Sequence, residues 1–380
     1  MRCCVGWWRG EWGCDERSRE EQRDAIVGVL SGGVFGSATD DLTDLRNLVD
    51  EIGARSFEAR IGYRALPDPL DTAAWRHLED AGLTRLDSGA DSGGGPTEAA
   101  VVLRALARHA VTVPLAETDL LAGWLAAAAG LDVPDVGPLT VALGAARRSG
   151  GRIVAQVPNV PYAADAAAVV LALTDGDRLM VAVCDPAGLS ITKGCNAGGE
   201  PRDCVSVDLD YSGFATADVE DELIRRGAWA RCVQTIGALD AAVEFSVAHT
   251  REREQFGRPL SAFQSVQHTL AGMAGEVERA RAATNLAVAA ATDFGFDDPR
   301  TDYAVAVARV TLGQVVPGVV TSAHQLHGAI GVTIEHRLWL ATMRARSWID
   351  EFGDTAHHAQ RLGRLTLSGA DPWDVMIGAV

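Results

Sequence analysis

The spacing of apolar residues changes twice along this chain of 380 residues, and these changes constrain the fold more than any other feature of the sequence. In the C-terminal part, apolar residues follow one another at steps of three and four positions, namely Phe263, Val266, Leu270, Met273 and Val277. Such steps place the side chains on one face of an α-helix, the pattern of a helix that packs into a bundle. Helical spacing also begins after Asp41 and after Pro96.

The middle of the chain has a different pattern, with short segments that are rich in β-branched residues. These segments are 152–157, 167–173, 179–184 and 204–209. Asp175-Gly176 between the second and third segments predicts a hairpin turn, and Asp185-Pro186 ends the third. We therefore expect a small, mainly antiparallel β domain between two helical regions.

The sequence thus predicts a mainly α protein with a central β domain. We place an N-terminal helical domain at 38–134, the antiparallel β domain at 135–220 and a bundle of four or five helices at 221–380. Helices are expected at about 120–129, 224–250, 299–326, 334–350 and 354–368. Residues 1–37 combine three tryptophans, three cysteines and dense charge, so we expect a disordered leader or an over-extended start there.

Charge and composition exclude several classes of partner. The chain has 34 basic and 51 acidic residues, a net charge of −17, and Lys193 is its one lysine. Such a surface repels polyanions, so neither nucleic acid nor an anionic membrane is expected as a partner. The longest uncharged apolar run, Leu120–Leu131, has 12 residues, fewer than the roughly 20 that cross a bilayer. Seven scattered cysteines without a CxxC pair predict a reducing, cytoplasmic compartment.

Several common catalytic motifs are absent from the sequence. Gly93-Gly94-Gly95 is followed by Pro96 and a helix, which does not match a dinucleotide-binding turn after a strand. No phosphate-binding loop surrounds Lys193, and no GxSxG nucleophile turn occurs. The pairs His324/His327 and His357/His358 lack the carboxylate spacing of a metal-binding helix, so no metal is predicted.

Two segments of the C-terminal half carry the most specific signal. The first is His249-Thr-Arg-Glu-Arg-Glu-Gln-Phe-Gly-Arg-Pro-Leu260, and the second is Gln325-Leu-His-Gly-Ala-Ile-Gly-Val-Thr-Ile-Glu-His336. Together they resemble the acyl-CoA dehydrogenase family, whose C-terminal bundle carries an R-x-Q-F-G-x-P-L segment and a Q-x-x-G-G-x-G segment in this order. The resemblance is strongest over 220–368 and extends collinearly over 40–215. It implies the family's helical–β–helical fold, which the apolar pattern predicts independently.

The resemblance implies flavin adenine dinucleotide (FAD) as cofactor. Its pyrophosphate is an anion, and an arginine can hold two phosphate oxygens at once. In the family, the arginine three residues before Phe-Gly contacts the pyrophosphate and the phenylalanine lies against the cofactor. The second segment approaches the ADP half of a flavin held by the neighbouring subunit, and its glycines let the backbone come close. The implied cofactor-binding residues are Arg253, Gln255, Phe256, Gly257, Gln325, Gly328 and Gly331.

The position of the catalytic base departs from the family pattern. Many members keep a glutamate in a Tyr-Glu-Gly-Thr segment before the last helix, where it removes the acyl-CoA α-proton. Aligning Phe352 with that tyrosine places Gly353 at the base, which leaves the neighbouring Glu351 and Asp354 as the catalytic candidates. Other members carry the base on the first bundle helix, but 227–234 has no carboxylate, and the nearest are Glu222 and Asp240. The family's flavin-cradling Thr-Glu-Pro…Gly-Ser-Asp segment has no clear counterpart in 135–152.

A chain without the usual base resembles one subunit of heteromeric acyl-CoA dehydrogenases of actinobacterial type, including those of steroid side-chain degradation. The resemblance implies an acyl-CoA substrate, an electron-transfer flavoprotein or similar acceptor, and a homo- or heterotetramer with a sister dehydrogenase subunit. Three alternatives stay open. The chain could be a self-sufficient homo-oligomer with Glu351 or Asp354 as base, a tailoring oxidase on the same fold, or a non-catalytic helical protein that has lost the cofactor.

Overall fold

Helices form the first part of the described chain. The structure is a computed structural model that describes residues 40–60, 66–88, 93–334, 336–368, 371 and 373, so the leader predicted at 1–37 lies outside the described residues. The helices are Asp40–Arg60 (α1), Thr72–Asp80 (α2), Pro96–Arg108 (α3) and, after a π-helical segment Glu117–Gly123, Trp124–Ala128 (α4). Asp71 caps α2 by accepting a hydrogen bond from the Ala74 amide at 2.9 Å.

Two four-stranded sheets follow and enclose a core of their own. The strands are Leu139–Ala145 (β1), Arg147–Ser149 (β2), Arg152–Pro161 (β3), Ala168–Asp175 (β4), Arg178–Cys184 (β5), Ser190–Thr192 (β6), Arg202–Asp210 (β7) and Ala215–Ala217 (β8). Their order is β1-β4-β5-β8 in one sheet and β2-β3-β7-β6 in the other. Ile153, Leu171 and Val205 are buried in this core because alternate residues of a strand point to the same face.

The C-terminal part is a helical bundle around one long helix. Its helices are Glu220–Glu252 (α5), Gln264–Phe294 (α6), Pro299–His327 (α7), Arg337–Trp348 (α8) and Thr355–Ser368 (α9), and a small hairpin of Glu254–Gln255 (β9) and Arg258–Pro259 (β10) follows α5. Helix α5 is buried on nearly every side between Leu223 and Ala242, because α3, α6, α7 and α8 all pack against it. Asp298 caps α7 by accepting from the Arg300 amide at 2.8 Å, and Pro299 opens that helix.

The predicted fold class is confirmed, with differences in detail. Apolar spacing identified the long helices and the strands at β3, β4, β5 and β7, and the hairpin predicted at Asp175-Gly176 joins β4 to β5. The sequence analysis did not predict α2, β1 or the parallel pairing of β1 with β4. The helix expected at 120–129 begins earlier, at Glu117, with a π-helical segment. The domain boundaries at 134 and 220 stay a prediction.

One helix of the described chain has the length and apolar composition of a membrane span. The stretch Pro299–Val332 consists of α7 and the short helical turn that follows it, and 56% of its most apolar window is buried inside the bundle. Residues such as Leu312, Val316 and Val320 pack against α5 and α6. The composition is therefore that of a helix in a bundle core.

Candidate functional site

The two motif segments meet at the ends of α5 and α7. The imidazole rings of His249 and His327 stack with centroids 4.5 Å apart and an interplanar angle of 21°. His249 lies one helical turn before Arg253, which ends α5, and His327 is followed by Gly328, which ends α7. Residues about 80 positions apart in sequence are thus brought to one surface.

After α5 ends, the first segment continues as a tight hairpin. Strand β9 pairs with β10, and the turn between them is Phe256-Gly257, with φ of 54° and 76°. Two positive φ values are typical of a two-residue hairpin loop, but a phenylalanine rarely adopts one. The turn leaves Phe256 at the tip with 93% of its surface exposed, 6.2 Å from the ring centroid of Phe263. An aromatic side chain held in this strained and exposed position is available for a ligand or another chain.

Arg253 presents an exposed cation beside this hairpin. Its side chain forms no ion pair with any residue that the structure describes, although its backbone amide donates to the His249 carbonyl at 2.8 Å. Arg258 lies over the ring of Phe263, 4.0 Å from its centroid. The side-chain amide of Gln255 donates to the Glu254 carbonyl at 2.8 Å. Among the candidates of the first segment, Arg253 therefore offers solvent a charge that has no ion pair within the described residues, and Phe256 offers an exposed apolar ring.

The second segment offers an exposed amide and an accessible backbone. Gln325 is exposed on α7, and Gly328 has a φ of 66°. A side chain at 328 would meet no atom within 4 Å, whereas one at Gly331 would lie 2.7 Å from Cβ of His327. Ile330 and Val332 beside them are more than half exposed. Gly328 therefore leaves room for a ligand, while Gly331 is required by packing.

These features fit the ADP half of FAD. A free arginine suits the pyrophosphate, and exposed apolar side chains beside an open glycine suit a flat base. Two pockets that the described residues form, one beside Asp119 and one beside His358, are too small to admit an acyl chain or a flavin ring.

The segment before the last helix holds Glu351 in a buried ion cluster. The Glu351 carboxylate accepts from Nε of Arg202 at 2.9 Å and from Nε of Arg231 at 2.6 Å. Burial by itself raises the pKa of Glu351, but these two cations outweigh burial and lower it below its usual range. The carboxylate is therefore held ionised, with both oxygens occupied.

The same cluster extends into the helical and β regions. Arg231, 1% exposed, also donates to Glu117 and to Gln234, at 2.6 Å each. Arg202 lies 3.4 Å from Glu200, whose carboxylate also accepts from the indole of Trp348 at 2.8 Å. We call Glu117, Glu200, Arg202, Arg231 and Glu351 the buried ion cluster. It ties the loop before α9 to the π-helical segment, α5 and β7.

Phe352 and Gly353 fill the space beside this cluster. The ring of Phe352 packs directly on Gly227 of α5, where any side chain would overlap it. Phe352 and Gly353 both have positive φ, 56° and 95°. The buried guanidinium of Arg309 donates to four carbonyls of the preceding turn, those of Trp348, Ile349, Glu351 and Gly353, at 2.6–3.0 Å. The loop at the family's base position is thus rigid and closely packed against α5.

The other carboxylates considered as bases are also engaged. Asp354 is exposed and accepts from the His357 amide at 2.7 Å, as a cap of α9. Asp240 bonds Arg104 at 2.8 Å and Arg281 at 2.7 Å, and Glu222 bonds Arg226 at 2.9 Å. No group of three or more His, Cys, Asp or Glu residues within the described ranges could hold a metal ion.

The sequence analysis missed the buried ion cluster and the histidine stack. A signal existed for Arg231, which interrupts the apolar stretch Ala228-Trp229-Ala230 and Cys232-Val233, and for Glu117 before the apolar run at 120. A charge inside an apolar helix requires a buried partner. The partners, however, lie 114 and 120 positions away, so spacing alone could not identify them.

Comparisons with known proteins show which proteins this chain resembles. Residues 218–362 match the family model described as "Acyl-CoA dehydrogenase, C-terminal domain". The chain is similar to acyl-CoA dehydrogenase IpdE2 of Mycolicibacterium smegmatis, with 27% identity over 316 residues that cover 81% of this chain and 90% of the relative.

Solved structures give the same picture. The ChsE4-ChsE5 complex from Mycobacterium tuberculosis matches with a TM-score of 0.76 and 23% identity, covering 88% of this chain and 99% of that one. A Tcur3481-Tcur3483 steroid ACAD variant matches with a TM-score of 0.74 and 26% identity, covering 87% and 99%.

Proposed function

We propose that this chain, whose residues 218–362 match the C-terminal domain of acyl-CoA dehydrogenases, is one subunit of an FAD-dependent acyl-CoA dehydrogenase and acts with a sister chain of the same fold. The assembled enzyme introduces an α,β double bond into an acyl-CoA thioester. Electrons leave to an electron-transfer flavoprotein or a similar acceptor. In this division of labour the sister chain supplies the base and the acyl-binding space, and this chain completes the cofactor site.

The state of Glu351 carries the proposal. A base for an α-proton needs a carboxylate that is free to accept it and has a pKa near or above its usual range. Glu351 has the opposite properties, since Arg202 and Arg231 occupy both oxygens and lower its pKa. Gly353 stands where the family has its base, and Phe352 closes the space toward α5. These observations favour a structural role for Glu351.

The cofactor surface supports the other half of the proposal. The stack of His249 on His327 brings the ends of α5 and α7 together, and Arg253, Phe256, Gln325 and Gly328 are exposed near these ends. Arg253 binds the pyrophosphate, Phe256 packs on the cofactor, and Gln325 with the Gly328 backbone approaches the ADP half. When bound, FAD accepts the substrate's β-hydrogen as hydride. Because the second segment of the family approaches a flavin of the neighbouring subunit, we assign the whole surface to the sister chain's flavin.

The relatives support a substrate class. One of these structures is of a ChsE4-ChsE5 complex, and the other, which carries the paired name Tcur3481-Tcur3483, is described as a steroid ACAD. We therefore propose a lipid or steroid side-chain acyl-CoA as substrate and the cytoplasm as compartment. The self-sufficient enzyme or tailoring oxidase has less support, because Glu351 is paired and Asp354 caps α9. A protein that had lost the cofactor would not need a free Arg253 beside an exposed Phe256.

The test is to co-express the chain with a candidate sister chain from the adjacent open reading frame and to measure FAD per complex by visible absorbance. Arg253→Gln should weaken FAD binding by about tenfold or more, because a charge-assisted hydrogen bond to the pyrophosphate is lost. Arg147→Gln, an exposed arginine on β2, is the matched control. Unchanged FAD content and affinity in Arg253→Gln would refute the proposed role of this surface.

A further inference from the structure

A cluster of histidines lies directly beside the proposed pyrophosphate site. His249 stacks on His327 at 4.5 Å, and the ring of His336 meets His327 edge-on with centroids 5.1 Å apart. His324 lies one turn before His327 on α7 and contacts the Thr342 hydroxyl at 2.9 Å. None of these side chains has a part in the proposed function so far.

The tautomer of His327 follows from its partner. Its Nδ1 lies 2.8 Å from the Ala323 carbonyl, which can only accept, so Nδ1 carries the hydrogen. Nε2 then has an unprotonated lone pair, and it is buried without a hydrogen-bond partner among the described residues. His327 is 6% exposed, so water does not replace that partner easily. Burial therefore keeps the ring of His327 in its neutral form.

His249 is in a different situation, because it is partly exposed and lies one helical turn from Arg253. The groups that face it are Arg253 and Glu252 from α5 and His327 from α7, while His324 and His336 face it only through His327. Partial burial first, and then the Arg253 cation, lowers the pKa of His249, so its ring is neutral at neutral pH without a ligand. An anion held by Arg253 would remove the second of these effects.

We propose that His249 is a further residue of the pyrophosphate-binding surface, and that binding of the pyrophosphate at Arg253 is coupled to uptake of one proton by the stacked His249–His327 pair. The proposal rests on the proposed function of Arg253. The proton goes to His249, since His327 is too buried to carry charge. A cationic His249 over the neutral ring of His327 is a favourable cation–aromatic contact. The pair thereby adds a second positive charge to the site only when an anion is present.

FAD is the appropriate probe for this coupling. Its pyrophosphate is a diester, so its phosphates do not titrate between pH 6 and pH 8, and any proton exchanged in that range comes from protein. We would measure FAD binding to the apo form of the co-expressed complex by isothermal titration calorimetry, in buffers with different ionisation enthalpies. We expect about three- to fivefold tighter binding at about pH 6 than at pH 8, accompanied by proton uptake, because the protonated form of His249 adds a positive charge to the site.

Two variants separate the charge from the stacking. His249→Phe keeps an aromatic ring on His327 but has no proton to gain, so its FAD affinity should be independent of pH and should match the weaker value. His249→Arg carries a permanent charge, so its affinity should also be independent of pH and should match the tighter value. His268→Phe, an exposed histidine on α6, is the control and should behave as the unaltered protein does.

The outcomes distinguish the two proposals. If His249→Phe keeps the pH dependence and the proton uptake of the unaltered complex, the coupling is wrong while the FAD surface stands. If FAD binds without any pH dependence, the coupling is equally wrong. If Arg253→Gln does not weaken FAD binding at any pH, the proposed function of this surface fails, and the coupling fails with it.

Discussion

The guanidinium of Arg231 lies against the carboxylate of Glu351, with Nε 2.6 Å from Oε2, and the same guanidinium reaches Glu117 at 2.6 Å on its other side. Arg231 is therefore the cation that joins the buried Glu117 to the partly exposed Glu351. Arg231→Met leaves both carboxylates partly unpaired inside the protein. We expect the free energy of unfolding to fall by about 3–5 kcal/mol, as in other broken buried ion pairs, measured by urea denaturation.

A double variant and a surface pair control this prediction. Arg231→Met combined with Glu117→Gln removes one cation and one anion together, so it should be more stable than Arg231→Met alone. Arg152→Gln breaks the exposed pair with Asp208 and should leave the free energy of unfolding nearly unchanged, because solvent screens that pair. Equal and small losses in Arg231→Met and Arg152→Gln would contradict the structural role of the buried ion cluster.

Gly227 provides a test of the packing beside that cluster. Any side chain there overlaps the ring of Phe352, so Gly227→Ala should lower the free energy of unfolding by about 1–3 kcal/mol, even though alanine favours a helix. Gly275→Ala is the matched control, because Gly275 lies on helix α6 with nothing within 4 Å of the added methyl group. There we expect a gain of about 0.5–1 kcal/mol from helix propensity. Thermal unfolding of both variants measures these two changes in stability. A stabilised Gly227→Ala would show that Phe352 does not occupy that space.

His358 predicts a specific sensitivity to acid. It is 5% exposed, and burial followed by the Arg309 cation lowers its pKa to about 4, whereas in the unfolded chain it lies near 6.5. The unfolded state therefore binds the proton more tightly, and stability decreases as the pH falls from about 6.5 toward 4. This histidine alone should remove about 2 kcal/mol between about pH 8 and pH 5.

A neighbouring histidine is the natural control for that titration. His358→Gln removes the titrating ring and should reduce the slope of stability against pH by that amount. His357→Gln, on the exposed side of the same helix, keeps the buried ring and should change the slope less, because His357 is only a minor cause of the lowered pKa of His358. Urea denaturation at several pH values measures both, and identical slopes in the two variants would contradict a neutral, buried His358.

The position of Asp354 leads to a prediction about the turnover of the assembled enzyme. Its carboxylate faces solvent and caps α9 by accepting from the His357 amide, so we do not expect Asp354 to act as the catalytic base. In the assembled enzyme, Asp354→Asn should keep its turnover within about threefold, because asparagine is also a good cap. Loss of a true base would instead reduce turnover by at least about a hundredfold. A loss of that size, with the FAD content unchanged, would make Asp354 the base.

Much of the fold follows from the sequence, because burial on one face imposes a period on long elements. Helix α6 repeats its apolar residues over many turns, whereas α2 has nine residues and gives too few repeats to identify. Arg253 and Gln325 could be predicted as cofactor-binding residues because short motifs fix their spacing, and this stays a prediction. Glu351 was identified for its position, but its ion pairs depend on residues more than a hundred positions away, and no local pattern encodes them.

The visible absorption spectrum of the chain, purified alone and purified with its sister chain, tests the central claim most directly. The account predicts that the chain alone has no flavin band that an acyl-CoA bleaches, whereas the complex is yellow and is bleached by its acyl-CoA substrate. A chain that is yellow by itself, and is bleached by an acyl-CoA without any partner, would contradict the account.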